Sequence, residues 1–242
     1  MRSRTLRKSV LLCAMMSSTA CGVRSDSIIA RAATGNTAAT ESSVTRGNAG
    51  GASSADTARF TFRINPEFSA YTFHLYRADP YVMDSVRVYR VAEYVQTIAR
   101  DLQAEGRTID HPLVGATDIN FDGFADFHLL SSLGGTGNEV FEWWLFDPRT
   151  GSFTYNESAS GVIGNYELDP SQRTIETSWN GGRMGTIFRR ATYRFSGDAL
   201  VTLRVVEQDW DQKTGKYRRI TRVLRDGQLS VASDSTFDES QL

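Results

Sequence analysis

The chain has 242 residues, 27 Lys and Arg against 28 Asp and Glu, a formal net charge of −1, and two cysteines. A balance so close to zero, without a recognisable binding motif, argues against a nucleic-acid partner. Two cysteines exclude a disulfide framework, so the folded part is expected to rely on core size, with a metal as further support.

The N-terminus has the layout of an export signal over residues 1–20. Arg2, Arg4, Arg7 and Lys8 precede the apolar run from Val10 to Met16, and the small residues Ser17 to Ala20 lead to Cys21. That run is shorter than the roughly 20 residues a membrane-spanning helix needs. Ser18-Thr-Ala-Cys21 resembles the bacterial lipobox, with Ser18 where that pattern prefers Leu. The resemblance implies that Cys21 is lipidated and holds the mature chain on a membrane, in the periplasm. Gly22 rather than Asp after it favours the outer membrane by resemblance to sorting signals.

Residues 21–58 are rich in Ala, Ser, Thr, Gly and Asn. They bury too little apolar surface to offset their ordering entropy, and are read as a disordered tether with a span of about 30 to 35 Å. Residues 59–231 then suit one β-domain, and 232–242 a polar, flexible tail. Charge is uneven along the domain. Thirteen acidic residues lie between Asp101 and Glu176, whereas ten basic residues lie between Thr186 and Arg225.

Alternation of apolar and polar residues predicts strands at Phe60–Ile64 and Tyr71–Leu75, and a further strand over Ser85–Val91. Tyr94 to Leu102 stays open between helix and strand, because Val91, Tyr94, Val95, Ile98 and Leu102 also line one helical face. Val114–Ile119 reads as a short strand. Val140–Phe146 is apolar on both faces, as a central strand covered on both sides would be. Asp147 to Gly151, Ser196 to Asp198, Asp211 to Gly215 and Arg225 to Gln228 read as turns between further strands. The fold class is all-β, an antiparallel meander of short hairpins closed as a propeller-like, barrel or sandwich domain.

Between two of these strands lies Asp118-Ile-Asn-Phe-Asp-Gly-Phe-Ala-Asp126. Asp118, Asn120 and Asp122 occupy positions 1, 3 and 5 of a calcium loop, Gly123 the sharp turn, the Phe124 carbonyl position 7 and Asp126 position 9. A hard cation needs several oxygens converging on one point, so Ca2+ is the expected cofactor. An ordinary Asx-rich turn is the alternative. Position 12, usually a bidentate Glu, is Leu129, so further oxygens must come from elsewhere, with Glu139 and Glu142 as candidates.

No catalytic constellation stands out. His74, His111 and His128 share no metal-ligand spacing, and neither a nucleophile elbow nor a phosphate loop occurs. Glu139 and Glu142 could pair as glycosidase acids, but acids so close in one strand are commoner as surface groups. The chain is therefore read as a non-enzyme with no catalytic residues. Two glycine-rich loops remain, Leu133 to Asn138 and Ser178 to Gly185. The second would carry Trp179, Asn180, Arg183 and Met184 near a tip, and residues of these types dominate protein-binding hot spots.

The order of these motifs resembles the calcium-binding immunity lipoproteins of bacterial-killing type IV secretion systems. It comprises the Asp118–Asp126 loop, Gly134-Gly-Thr-Gly-Asn138, Trp143-Trp-Leu-Phe-Asp147, and the second glycine loop leading into Thr192-Tyr-Arg-Phe195. The resemblance covers roughly Ser85 to Val206. It implies a lipid-anchored inhibitor whose partner is a lysozyme-like peptidoglycan hydrolase, blocked by a loop residue that enters its cleft. A calcium-dependent carbohydrate or cell-wall binding module is the alternative function.

Overall fold

The computed structural model describes residues 43–46, 57–79, 82–102, 114–162 and 164–241. The signal, Cys21, most of the tether and His111 lie outside them. Among the described residues there are fifteen strands, no helix longer than one 3-10 turn, and no helix long and apolar enough to cross a membrane.

The strands form three sheets, each an antiparallel meander in which chain neighbours pair. The first contains β1 (Ser43–Arg46), β2 (Thr57–Phe62), β3 (Tyr71–Asp79), β4 (Val82–Arg90) and β5 (Glu93–Leu102). β6 (Val114–Thr117), β7 (Asp126–Leu133), β8 (Glu139–Asp147) and β9 (Ser152–Tyr155) form the middle sheet. β10 (Tyr166–Asp169), β11 (Thr174–Gly182), β12 (Ile187–Ser196), β13 (Ala199–Asp211), β14 (Lys216–Arg225) and β15 (Gln228–Phe237) form the third. Each sheet is open, and no strand pair among the described residues closes a barrel or propeller.

Two apolar clusters occupy the two faces of the middle sheet. Phe73, Val86 and Val88 of the first sheet pack with Phe127, Trp144 and Phe146, and the Phe73 and Phe127 rings stack with centroids 4.4 Å apart. On the other side Phe141, Trp143 and Leu145 pack with Ile175, Tyr193 and Val205 of the third sheet. Alternate residues of β8 thus point into different cores, which is why that strand reads as apolar on both faces.

Three stretches differ from the sequence reading. β5 is a strand, and its helix-like spacing has a local cause. The register with β4 skips Val95 and Ile98, so each is the extra residue of a bulge, and both pack against the first core. Two bulges three residues apart put apolar side chains on one face at a helical interval. The expected tether contains β1, whose Val44 pairs with Phe60, and β2 begins within it at Thr57. An edge strand gains its hydrogen bonds from the neighbour's backbone and needs little apolar surface of its own. The expected flexible tail is strand as far as Phe237. There Arg218 holds Asp234 with two hydrogen bonds, and the Phe237 ring stacks on Tyr217 at 5.9 Å.

Candidate functional site

The Asp118–Asp126 loop connects β6 to β7, and its shape is set by its own side chains. Asp118 accepts hydrogen bonds from the backbone N–H groups of Asp122 and Gly123, at 3.0 and 2.9 Å. Asn120 Oδ1 accepts from Asp122 N–H, and Asp122 Oδ1 from Phe124 N–H. The chain can turn so sharply because Phe121 and Gly123 both have positive φ, 61° and 93°.

Asp126 stands apart from this ring. It is fully buried, and its two oxygens accept from Ile119 N–H at 3.0 Å and from Phe146 N–H at 2.9 Å. It therefore braces the end of the loop against β8. Burial pushes its carboxyl up to about 8, and the nearby Asp122 and Asp118 add to the shift. Burial also raises Asp118 above the ordinary carboxylate range, again with a contribution from Asp122. Asp118 and Asp126 are thus raised by burial and by neighbouring carboxylates, and a hard cation would supply the counter-charge. In donor chemistry, Asp118, Asn120, Asp122, the Phe124 carbonyl and Asp126 fit calcium. Among the described residues no three His, Cys, Asp or Glu side chains form a metal group by themselves, so a cation here would depend on Asn120 and carbonyl oxygen as well.

The loop also touches all three sheets. Asn65, after β2, donates its side-chain N–H to the Gly123 carbonyl at 2.7 Å, and Ala125 N–H donates to the Ile64 carbonyl at 2.8 Å. The Phe124 ring meets Phe68 edge-on at 5.5 Å. From the other side Arg173, just before β11, donates to the Phe121 carbonyl at 2.6 Å, while the Phe121 ring packs on the second core.

Glu139 and Glu142 do not join the loop. They lie opposite Leu133 and Leu129 on β7, further along the sheet than Asp126, and Glu142 accepts a 2.6 Å hydrogen bond from the Tyr155 hydroxyl. His128 is not a ligand either. It is fully enclosed between Phe141, Trp143 and Tyr166, and burial pushes its pKa down to about 3. The close approach of β6 leaves room for it only because residue 115 is glycine. A Cβ there would lie 2.5 Å from His128 Cε1 and Nε2.

The structure joins the two glycine loops. Asn138, buried at the end of the first, donates from Nδ2 to the Asn180 carbonyl at 2.9 Å and accepts on Oδ1 from Asn180 N–H at 2.7 Å. Nothing in local spacing announces this pairing. Beyond it, Arg183 and Met184 form a 3-10 turn with φ of 47° and 53°. The Arg183 guanidinium lies over the Trp210 ring at 4.2 Å, and Thr186 shares a 3.0 Å hydrogen bond with the Tyr217 hydroxyl. Trp179 is half-exposed and Met184 fully exposed. Trp179 and Met184 therefore face solvent, whereas Asn180 and Arg183 are taken up in holding the loop. Beside it runs a groove of 1160 Å³ bordered by Asn138, Glu139, Trp179, Arg189 and Glu207. Glu207 is clamped there by two guanidiniums, those of Arg189 at 3.4 Å and of Arg222.

No family model matches the chain, and no curated protein matches it. Among solved structures it is similar to a Xanthomonas type IV secretion system related protein, at 18% sequence identity and a TM-score of 0.48, over 73% of this chain and 93% of that one.

Proposed function

We propose that this chain is an envelope-anchored, calcium-binding inhibitor that docks on a lysozyme-like peptidoglycan hydrolase through the loop around Trp179 and Met184. Lipid on Cys21 would hold it at the periplasmic face of a membrane, where it meets the hydrolase before the wall is cut. It performs no chemistry of its own. One observation carries this reading. An apolar side chain, Met184, is fully exposed on backbone at φ 53°, and the loop beneath it is fastened at Asn138, Trp210 and Tyr217. Strained backbone that its surroundings hold in place is a feature of binding sites, and a loop set in advance loses little entropy on docking. The calcium loop then acts as a clasp for the fold rather than as the contact surface.

The test is wall digestion by a lysozyme-like muramidase recovered on the immobilised protein from envelope extract with calcium present. The parent should suppress release of soluble wall fragments in proportion to its concentration. Met184→Glu should weaken inhibition by about thirtyfold, the equivalent of the 2 kcal/mol lost at a hot spot. Wall hydrolysis by the protein alone would overturn the reading in favour of an enzyme. Binding of wall polymer with no effect on the muramidase would overturn it in favour of a wall-binding module.

A further inference from the structure

The outward face of the first sheet combines basic and tyrosine side chains. Its inward residues, such as Phe73, Leu75 and Val86, are in the core. On the opposite face Arg59, His74 and Arg87 stand directly across from one another on β2, β3 and β4, one rung of three cationic or basic groups. At the usual strand spacing that row spans about 10 Å. Like charges set side by side across strands destabilise a sheet, and among the side chains the structure describes no carboxylate forms an ion pair with Arg59 or Arg87. Burial and the two guanidiniums hold His74 below its ordinary pKa, the mark of a positive field without an offsetting acid.

Tyrosines border this row. The His74 and Tyr89 rings are 4.5 Å apart, Tyr89 and Tyr94 5.9 Å, and the Arg87 guanidinium lies over Tyr76 at 4.5 Å. Tyr94 is 59% exposed. The remaining described side chains on this face are threonines and one serine, with hydroxyl pairs at Thr61 and Thr72, and at Tyr94 and Thr97, both 3.1 Å apart.

We propose that this face binds a linear acidic polysaccharide, with Arg59 and Arg87 meeting its carboxylates, the neutral His74 between them offering a hydrogen bond, and Tyr76, Tyr89 and Tyr94 lying against its sugar rings. Charge complementarity selects an anionic ligand, and two cations placed on one rung across β2 to β4, with tyrosines beside them, select one that extends along that rung. Ring faces edged with hydroxyls suit sugars, which present both C–H surface and hydroxyl groups. The described side chains of this face are basic, tyrosine and small hydroxyl groups, with no Leu, Ile, Phe, Trp or Met among them, a composition that favours a sugar polymer over the acyl layer of a membrane. A phosphate polymer of nucleic-acid charge density calls for a protein with a basic excess, and this chain has a formal charge of −1. The site lies on a different sheet from Met184 and does not rest on the inhibitor reading.

The test uses the full chain carrying Cys21→Ser, which cannot be acylated, in native gels containing polygalacturonate or neutral dextran. Polygalacturonate should retard it and dextran should not. Arg59→Gln with Arg87→Gln should weaken the retardation at least tenfold, and Tyr94→Ser severalfold, while Arg218→Gln on the third sheet should leave it unchanged. Absence of retardation, or retardation equal to the parent in the folded double variant, overturns the proposal. Should the double variant fail to fold, unchanged retardation of Tyr94→Ser overturns it, since that exposed side chain supports no core. Tighter binding to single-stranded DNA or to phosphatidylglycerol vesicles than to polygalacturonate also overturns it.

Discussion

The side chain of Asn138 pairs with the backbone of Asn180 as a neighbouring strand would, giving one hydrogen bond and accepting another. Both groups are partly buried, so removing the amide leaves a backbone N–H and a carbonyl without partners. Asn138→Ala should therefore cost about 1 to 3 kcal/mol in urea unfolding. It should also weaken inhibition of the muramidase although Asn138 lies behind the exposed tip, because the Trp179 loop loses one of its fastenings. Equal inhibition by parent and variant would show that this fastening does not shape the docking loop.

Calcium should raise the melting temperature, and chelator should lower it again, because an ion bound only by the folded state stabilises it by mass action. Asp122→Ala should abolish the chelator response. Asp122 is the exposed member of the loop, bonded to Phe124 N–H and Asn120, so the variant can keep its fold while losing the ion. A chelator response of undiminished size in the variant would remove this loop as the site.

The pH dependence of stability follows from two buried groups with opposite signs. Asp126 has a folded pKa of about 8, above its ordinary 3.8. Its contribution is fully present below about pH 4 and is lost as pH rises toward 8, and Asp118 acts in the same direction. His128 is pushed down from 6.5 to about 3, so its contribution is present above 6.5 and is lost as pH falls toward 3. Between pH 6.5 and 8 the carboxylates act alone. In chelator, stability should fall across that window by at most about 1.4 kcal/mol per pH unit for Asp126. Asp126→Asn should flatten the slope, and so should calcium, which favours the charged form. Urea titrations at pH 6.5 and 8 measure it.

Gly115→Ala should destabilise the protein by about 1 to 3 kcal/mol, since the new methyl meets the His128 ring in a filled core. Combined with His128→Ala, the loss should be smaller than the sum of the two single losses, because the smaller side chain makes room for the methyl. Strict additivity in a double-mutant cycle would place the strain elsewhere.

Much of this was legible in the sequence. Val140–Phe146 announces a strand covered on both faces because Phe141, Trp143 and Leu145 go to one core while Trp144 and Phe146 go to the other. Asp147 to Gly151 and Ser196 to Asp198 announce turns because their chemistry is local. The hydrogen bonds that shape the Asp118–Asp126 turn are equally local. The interactions that escaped join residues distant in the chain. Asn138 and Asn180 are 42 residues apart, Arg173 and Phe121 52, and Asn65 and Gly123 58. Val95 and Ile98 misled for another reason, since bulges shift the side-chain alternation and spacing alone cannot reveal them.

Among the described residues every strand pairs only with strands that neighbour it along the chain. Three such meanders can form from nearby segments, at small loop-closure cost and early in folding. Their union depends on the two cores and on the Asp118–Asp126 loop, which is bonded to Ile64 and Asn65 on one side and to Arg173 on the other. The ion would then set the cooperativity of the molecule. With calcium bound the three sheets should melt together as one transition, and in chelator the transition should broaden or divide as sheets come apart separately.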